Sequence, residues 1–217
     1  MSRKENIVDK YGKTVVVIFF VCLCFFIINS IFINNDVLLQ IADNKFVAWI
    51  FNFLAGCEGV LGKVGSMSNK AVFYEGQWWR LITHIYLHAG ILHFLFNMVA
   101  LMFSGRVVEK KIGFIKSILL FHIIAVTDAV IMSFIFPDSI SVGASGGIFG
   151  FIGIISAFKI VKNNKTEKIL YKSEFIYLIV FCVLSLVLGF ESFLTHFIAF
   201  VLGLTAGFIV SKLSENK

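Results

Sequence analysis

The sequence predicts an all-α, polytopic membrane protein built as a bundle of six transmembrane helices, and three observations support that fold class. Apolar side chains make up 59% of the 217 residues, charged ones 15%, and proline occurs once, whereas soluble domains average roughly 45–50% apolar residues. The charges are clustered and leave apolar stretches that approach the ~20 residues needed to cross a bilayer. Finally, the basic residues concentrate on one side of the topology that six spans would create.

The six spans are predicted from the apolar stretches in chain order. They cover residues 14–33, 91–105, 113–136, 142–158, 175–190 and 192–210. The first stretch is longer than the apolar core of a signal peptide and has no small-x-small cleavage site, so we expect it to be retained as an anchor. Two of the six are short and the third contains Lys116 and Asp128, so hydropathy alone does not establish the number.

Basic residues provide an independent criterion for the number of spans. With a cytoplasmic amino terminus, 15 of the 19 lysines and arginines fall inside, and only Lys45, Lys63, Lys70 and Arg80 fall outside. The positive-inside rule therefore selects six spans with both termini cytoplasmic. We expect a cytoplasmic segment at residues 1–13, a six-span domain at 14–211 and a cytoplasmic tail at 212–217.

The predicted connection between the first two spans, at about residues 34–90, is long and external. Its apolar run at residues 47–55 is too short to span, so we expect it to lie at the external interface or to dip into it. Trp49, Trp78 and Trp79 are of the type that anchors at headgroup depth. The sequence has no internal repeat and no separate soluble domain, so its chemistry must come from the membrane region.

Composition also excludes several functional classes. The net charge of +6 comes from basic residues that flank the spans rather than line one groove, so we expect no nucleic-acid partner. Cys22, Cys24, Cys57 and Cys182 form neither a disulfide framework nor a metal-ligand spacing, and we interpret them as small apolar fillers. We expect no metal and no cofactor.

The first candidate for chemistry is the run from Gly143 to Gly150, Gly-Ala-Ser-Gly-Gly-Ile-Phe-Gly, at the external start of the fourth span. Ser145 at a helix amino terminus would have free backbone N–H groups nearby and a helix dipole that favours negative charge. A nucleophile with an oxyanion site requires these features. Small residues at helix starts are also common packing devices, so this run alone leaves both interpretations open.

The second candidate is His196, at the external start of the sixth span. Ala199, Gly203 and Gly207 follow it on the same helical face. The fourth span carries a comparable track of small residues, namely Gly146, Gly150, Gly153 and Ala157. We expect the two tracks to face one another, because small residues let membrane helices approach closely. Ser145 and His196 would then meet near the same depth.

The third candidate is the external end of the second span. This segment carries His84, His88, His93 and Asn97. His93 and Asn97 are four residues apart and share a helical face. A nucleophile, a base and two further hydrogen-bonding groups thus come from three spans at one depth, a coincidence that is harder to explain by packing alone.

At these residues the sequence resembles the rhomboid family of intramembrane serine proteases, over about residues 76–207. The glycine-x-serine-glycine signature of that family is matched from Gly143 to Gly146, and its histidine-x-x-x-asparagine motif from His93 to Asn97. His196 matches its catalytic histidine, and Trp79-Arg80 is similar to the tryptophan-arginine element of its first loop.

The resemblance implies a serine endopeptidase that cleaves within or next to transmembrane segments of membrane-protein substrates by a Ser-His dyad. Ser145 would attack the scissile carbonyl, and His196 would take its proton and return it to the leaving amine. His93, Asn97 and the backbone N–H of Ser145 would hold the oxyanion. The location implied is a bacterial cell membrane, with the active site near the external face.

The resemblance assigns supporting roles to other residues. Gly143 would allow the serine loop its conformation, and the positions of Gly146, Phe149 and Gly203 would support the site. His84 and His88 match positions concerned with structure or water supply. Asp128 is expected to make an interhelical hydrogen bond, because the family works without a carboxylate.

Two positions depart from the family pattern, and two rival functions stay open. Ala199 stands where many relatives have glycine, and Phe149 stands where many bacterial relatives have tyrosine. The first rival is a rhomboid-like protein that binds membrane clients without cutting them. The second is a small transporter, which is disfavoured because apart from His122 and Asp128 little marks a polar path inward.

Overall fold

The structure is a computed structural model that describes residues 7–31, 60–162 and 189–215, with the single positions 50, 176 and 180. Within these ranges the regular elements are all helical, and one isolated β-bridge joins Met67 to Ser141. The α-helices are α1 (Ile7–Tyr11), α2 (Lys13–Ile31), α3 (Val60–Gly65), α4 (Arg80–Thr83), α5 (Gly90–Ile112), α6 (Phe114–Ile135), α7 (Ser145–Lys162) and α8 (Phe190–Glu215). A π-helical turn (Lys70–Tyr74) and a 3₁₀ turn (His84–Tyr86) complete the described elements.

The helices confirm a polytopic, all-α membrane protein. By length and composition α2, α5, α6 and α8 can cross a membrane, and α7 contains a shorter apolar helix. The predicted fifth span, residues 175–190, lies outside the described residues except for positions 176, 180, 189 and 190. The number six therefore stays a prediction.

The ends of several predicted spans were wrong. Helix α5 continues to Ile112, well past the predicted end at residue 105, because lysines at a helix end can extend into the headgroup region. Helix α8 begins at Phe190, which the prediction placed in the fifth span, so His196 lies two turns inside the helix. Helix α7 begins at Ser145 rather than at residue 142.

Helix α7 is short and buried along most of its length. Phe149, Phe151, Ile154 and Ala157 are each at most 1% exposed, whereas the long helices keep large apolar side chains on exposed faces, such as Phe20, Phe103 and Ile123. A helix that is apolar all round and enclosed by protein needs no lipid-facing side chains. The residue that begins α7 is therefore held by a rigid, enclosed element.

The chain divides into two compact units. The first unit comprises Met1–Val16, Ala100–Asp128 and Ser145–Lys217. In it α7 packs on α6, where Gly147 lies against the Phe121 ring, and on α8, where backbone meets backbone at glycines. Glu109 accepts hydrogen bonds from the backbone N–H groups of Lys13 and Thr14, at 3.0 and 2.6 Å, and so caps the start of α2.

The second unit comprises Val17–Val99 and Ala129–Ala144. Its residues 60–89 form short helices and turns, so the part of the predicted external loop that the structure describes is folded. The side chain of Arg80 is buried and donates to the carbonyl oxygens of Ser66 and Lys63 and to Gln77 Oε1, at 2.6–2.7 Å. These three hydrogen bonds hold the segment together.

The predicted interfacial residues fall partly within the described chain. Trp78 and Trp79 are 57% and 54% exposed, and the indole N–H of Trp79 donates to the Val64 carbonyl. Trp49 and the apolar run 47–55, apart from position 50, lie outside the described residues. The interfacial role of this segment stays a prediction.

Candidate active site

Ser145 is the first residue of α7 and is 7% exposed. Gly143, two residues earlier, has φ +117°, which a helix cannot contain, so the helix starts only after it. The first backbone N–H groups of a helix have no partner within the helix, and its dipole favours negative charge at this end. Ser145 therefore lies where a developing oxyanion would be stabilised.

His196 on α8 stacks on Phe149 of α7. The ring centroids are 4.3 Å apart, the ring planes differ by 13°, and His196 is only 8% exposed. Phe149 follows Ser145 by four residues and shares its helical face. The imidazole therefore covers the face of α7 that carries Ser145, about one turn further along. The first unit thus brings the predicted nucleophile and base to one helix–helix interface.

Glycines set the separation of α7 and α8. A methyl group on Gly203 would overlap the Gly150 carbonyl, and one on Gly153 would overlap the Phe200 carbonyl. Contact at this range requires a glycine on at least one of the two helices. Ala199 is fully buried, so this interface has room for its methyl group, and the departure from glycine at that position is accommodated.

One part of the predicted glycine arrangement was wrong. Gly146 does not face α8: a methyl group there would lie 3.1 Å from Asp128 Oδ2 and 3.3 Å from the Ala125 Cα, both on α6. Gly203 and Gly207 do face α7, at Gly150, Ile154 and Ala157. Consecutive residues of a helix point about 100° apart, so Ser145 and Gly146 serve different neighbours.

Asp128 packs beside the residue that follows Ser145. It is 2% exposed, and its Oδ1 has no hydrogen-bond partner among the described residues. The interhelical hydrogen bond expected for Asp128 is therefore not found at this oxygen. A buried carboxyl oxygen without a partner is costly, and the contact with Gly146 places Asp128 between α6 and α7.

In the second unit, Gly143 lies against His93. A methyl group on Gly143 would lie 2.7 Å from His93 Cε1 and 3.0 Å from Nε2. The Gly143 N–H donates to the His84 carbonyl at 2.8 Å, which anchors the loop two residues before Ser145. Positive φ and this close approach both require glycine here. The hydrogen bond to His84 was not predicted, because nothing in the residue types identifies a backbone carbonyl as its acceptor.

The tautomer of His93 follows from its hydrogen bond. The backbone N–H of Ala89 donates to His93 Nδ1 at 3.3 Å, so in the neutral ring Nδ1 is the acceptor and we assign the proton to Nε2. Nε2 is also one of the ring atoms nearest to Gly143. His93 therefore presents an N–H donor on the side where it meets the serine loop.

Asn97 lies one turn further along α5 and is 1% exposed. Its Nδ2 donates to the His93 carbonyl at 3.0 Å, while Oδ1 has no partner among the described residues. An amide nitrogen has two hydrogens, so one is still available. Nδ2 would lie 3.7 Å from a methyl group on Gly143. His93 and Asn97 thus both adjoin the serine loop within the second unit.

His84 and His88 are buried, and both rings contact backbone carbonyl groups. His84 Nδ1 binds the Arg80 carbonyl at 2.8 Å, and burial lowers the pKa of His84 to about 4. Burial first, and the neighbouring His93 second, lower the pKa of His88 to about 3. Both rings are therefore neutral at pH 7. Among the residues that the structure describes, no group of three metal-ligating side chains occurs.

Comparisons with known proteins identify the same family from independent evidence. Residues 75–213 match the Rhomboid domain. The putative rhomboid protease YdcA of Bacillus subtilis is 30% identical over 172 residues, which cover 79% of this chain and 84% of YdcA. RHOMBOID-like protein 1 of Arabidopsis thaliana is 33% identical over 153 residues, which cover 69% of this chain and 38% of that protein.

Other relatives match over shorter segments. The rhomboid protease GluP of Bacillus subtilis is 41% identical over 91 residues, which cover 42% of this chain and 18% of GluP. RHOMBOID-like protein 2 of Arabidopsis thaliana is 42% identical over 90 residues, which cover 42% of this chain and 28% of that protein. The chain therefore spans half or less of the length of several of these relatives.

Proposed function

The chain belongs to the rhomboid family, and on that premise we propose that it is an intramembrane serine endopeptidase with Ser145 as nucleophile and His196 as general base. The main support for this proposal is the stacking of the His196 ring on Phe149, one turn beyond Ser145. A base must lie within reach of the proton that it abstracts, and hydrogen bonds of this kind are often loose until substrate binds.

The mechanism that we propose uses the serine loop and the donors around it. Ser145 Oγ attacks the scissile carbonyl while His196 takes the hydroxyl proton, and a tetrahedral oxyanion forms. The Ser145 backbone N–H, His93 Nε2–H and the remaining hydrogen of Asn97 Nδ2 donate to that oxyanion. The support for the last two is their position beside Gly143, two residues before Ser145.

Peptide release and hydrolysis complete the cycle. His196 returns its proton to the leaving amine, which leaves an acyl-enzyme on Ser145. Water then attacks the acyl carbon, and His196 acts as base again. Because backbone amides within a helix are hydrogen-bonded to one another, a transmembrane substrate must unwind locally before its carbonyl can reach Ser145. The substrates that we propose are therefore transmembrane segments of membrane proteins.

The orientation is also part of the proposal. Placement of the basic residues supports both termini in the cytoplasm and Ser145 near the external face of the cell membrane. The six-span domain at residues 14–211 follows from the same argument. Labelling in intact cells by a membrane-impermeant maleimide checks this orientation, with single cysteines introduced at Gly76 or Gly113 after replacement of the four native cysteines. A label at position 76 and none at position 113 is the expected result.

The decisive experiment replaces the nucleophile. We expect Ser145→Ala, in reconstituted protein, to lower cleavage of a fluorogenic transmembrane substrate by about 10⁴-fold or more and to abolish labelling by a fluorophosphonate probe. Ser141→Ala is the matched control, because Ser141 pairs with Met67 through its backbone and should retain activity. Undiminished cleavage by Ser145→Ala would exclude the dyad. Wild-type protein that binds membrane clients but cleaves none would favour the non-cleaving alternative.

The oxyanion donors can be tested separately. We expect Asn97→Ala to lower kcat by about 10²-fold, or about tenfold where neighbouring donors compensate, and His93→Ala with Asn97→Ala to lower it further. Asn69→Ala is the control, because Asn69 is buried but makes no capping hydrogen bond through its side chain. Full activity in the double variant would refute this role for His93 and Asn97.

A further inference from the structure

The segments around the start of α2 and the end of α5 carry an excess of positive charge. Residues 1–13 and 106–116 together contain eight basic and three acidic residues. In the described structure Glu109, one of those acids, accepts from the backbone N–H groups of Lys13 and Thr14. The negative charge of Glu109 is therefore already stabilised by the start of α2, where the helix dipole favours it. It neutralises the neighbouring cations less than a carboxylate without these partners would.

The cap on Glu109 also brings basic side chains together. Gly12 lies against Glu109, with a methyl position 3.0 Å from Oε2, so the start of α2 lies beside the last turns of α5. Lys13 follows Gly12 directly, while Arg106 and Lys110 lie within one turn of Glu109 on α5. Lys13 and Lys110 are exposed and Arg106 is partly buried. Three basic residues thus lie within one helical turn in sequence of the contact between Glu109 and the start of α2.

Arg106 is the member of this cluster that indicates a ligand. Its Nε is buried and has no hydrogen-bond partner among the described residues, and neither Arg106 nor Lys110 forms an ion pair with any of them. Arg106 lies within the apolar helix Gly90–Ile112, about a turn and a half before its end. An arginine at that depth extends its guanidinium toward the headgroups, where its terminal amino groups can donate to a phosphate.

The surface next to the cations favours a lipid over a soluble anion. Ile7 and Val8 on α1 are 62% and 37% exposed, and Lys10 in the same helix is exposed as well. Apolar side chains beside lysines are the pattern of a segment that lies in the membrane interface. A free phosphate would use the cations and leave Ile7 and Val8 in water, whereas a phospholipid would use both.

We propose that Lys13, Arg106 and Lys110 form a binding site for the phosphate of an anionic phospholipid, with the acyl chains against the apolar residues of α1. A phospholipid bound there holds the start of α2 and the end of α5 at the bilayer surface. It does not depend on the peptidase activity, and the residues that form it are remote in sequence from Ser145 and His196.

The test measures lipid binding to the purified full-length chain by native mass spectrometry, with phosphatidylglycerol against phosphatidylcholine. Removal of one cation near an anionic surface weakens binding by about fivefold, so Arg106→Gln with Lys110→Gln should weaken phosphatidylglycerol binding by about 30-fold. Lys159→Gln with Lys212→Gln removes the same charge elsewhere and should change binding less than about threefold. Lys110→Gln alone changes an exposed position and should weaken phosphatidylglycerol binding by about fivefold. This single variant provides the test if the double variant does not fold.

Three outcomes would overturn the proposal. Equal loss in the Arg106/Lys110 pair and the Lys159/Lys212 pair would show that only net charge matters. Equal binding of phosphatidylglycerol and phosphatidylcholine by the wild type would exclude recognition of the headgroup charge. Displacement of the lipid by inorganic phosphate, with no effect of Ile7→Ser and Val8→Ser, would identify a soluble anion as the ligand instead.

Discussion

The interface of α7 with α8 and the folded segment at residues 60–89 are held together by opposite means. At the interface, Gly150, Gly153 and Gly203 allow direct contact of two backbones, and no side-chain hydrogen bond is involved at these positions. In the segment, buried Arg80 donates three hydrogen bonds: one to nearby Gln77, and two to the carbonyl oxygens of Ser66 and Lys63, which are more distant in the chain. The first arrangement is therefore sensitive to added atoms, and the second to lost donors.

The largest effect is expected from Gly203→Leu, which adds atoms where α8 meets the Gly150 carbonyl. Overpacking of a rigid interface costs about 3 kcal/mol or more, and separation of α7 from α8 would remove His196 from Phe149. We expect loss of activity and a clear drop in the midpoint of thermal unfolding. Val201→Leu, on an exposed position of the same helix, is the control. A Gly203→Leu variant as stable as wild type would contradict direct backbone contact.

Gly143→Ala should have the next largest effect, because it adds atoms to the serine loop. A positive φ and a clash with the His93 ring together cost about 2–3 kcal/mol, and kcat/KM should fall by more than about tenfold. Combination with His93→Ala removes the clash but not the strained φ. The double variant should therefore regain part of its thermal stability and no activity. Full additivity of the two changes would argue against the contact.

Arg80→Lys removes donors without adding atoms. A lysine cannot reach Ser66, Lys63 and Gln77 from one planar group, so at least one buried carbonyl loses its partner, at a cost of about 2 kcal/mol. Limited proteolysis should show faster cleavage between residues 60 and 89. Lys70→Arg, at an exposed position with only a 3.8 Å ion pair to Glu75, should leave proteolysis unchanged. Equal protection in Arg80→Lys would show that the segment does not depend on this network.

The smallest effect is expected from pH, through His84. Burial lowers the pKa of His84 from 6.5 to about 4, so the unfolded chain takes up a proton first as pH falls. The folded state is therefore most favoured above about pH 6.5, and it loses stability between that value and pH 4. The loss at pH 5.5 is about 1 kcal/mol. His84→Gln should show a smaller drop in thermal midpoint from pH 7.5 to 5.5 than wild type does, and an equal drop in the two proteins would contradict this role of His84.

Sequence reasoning predicted the fold class correctly and provided candidates for the site residues, because both depend on residue type. Apolar content and lysine placement predicted a polytopic helical protein, and the Rhomboid match confirms its family. Phe149, which stands where many relatives have tyrosine, stacks on the His196 ring. The ends of α5 and α8 were predicted poorly, since hydropathy falls gradually at a helix end while the helical hydrogen bonds continue.

Contacts made by backbone atoms or by glycine faces could not be predicted in this way. The hydrogen bond from Gly143 to the His84 carbonyl and the cap of α2 by Glu109 both use backbone N–H groups, which identify no particular residue type. Gly146 packs closely on α6 because glycine has no side chain. Their partners depend on which segments are brought together, and a single sequence carries no record of that. The folded turns at residues 60–89 were missed for the same reason.

The sequence by itself determined that this chain lies in a membrane, which residues are candidates for nucleophile and base, and where its positive charge concentrates. These properties belong to side chains and follow from transfer free energies and acid–base chemistry. Only the tertiary structure decided that His196 stacks on Phe149, that α7 and α8 touch at Gly150 and Gly203, and that Gly143 lies against His93. Such contacts depend on distances between segments far apart in the chain, and packing alone sets those distances.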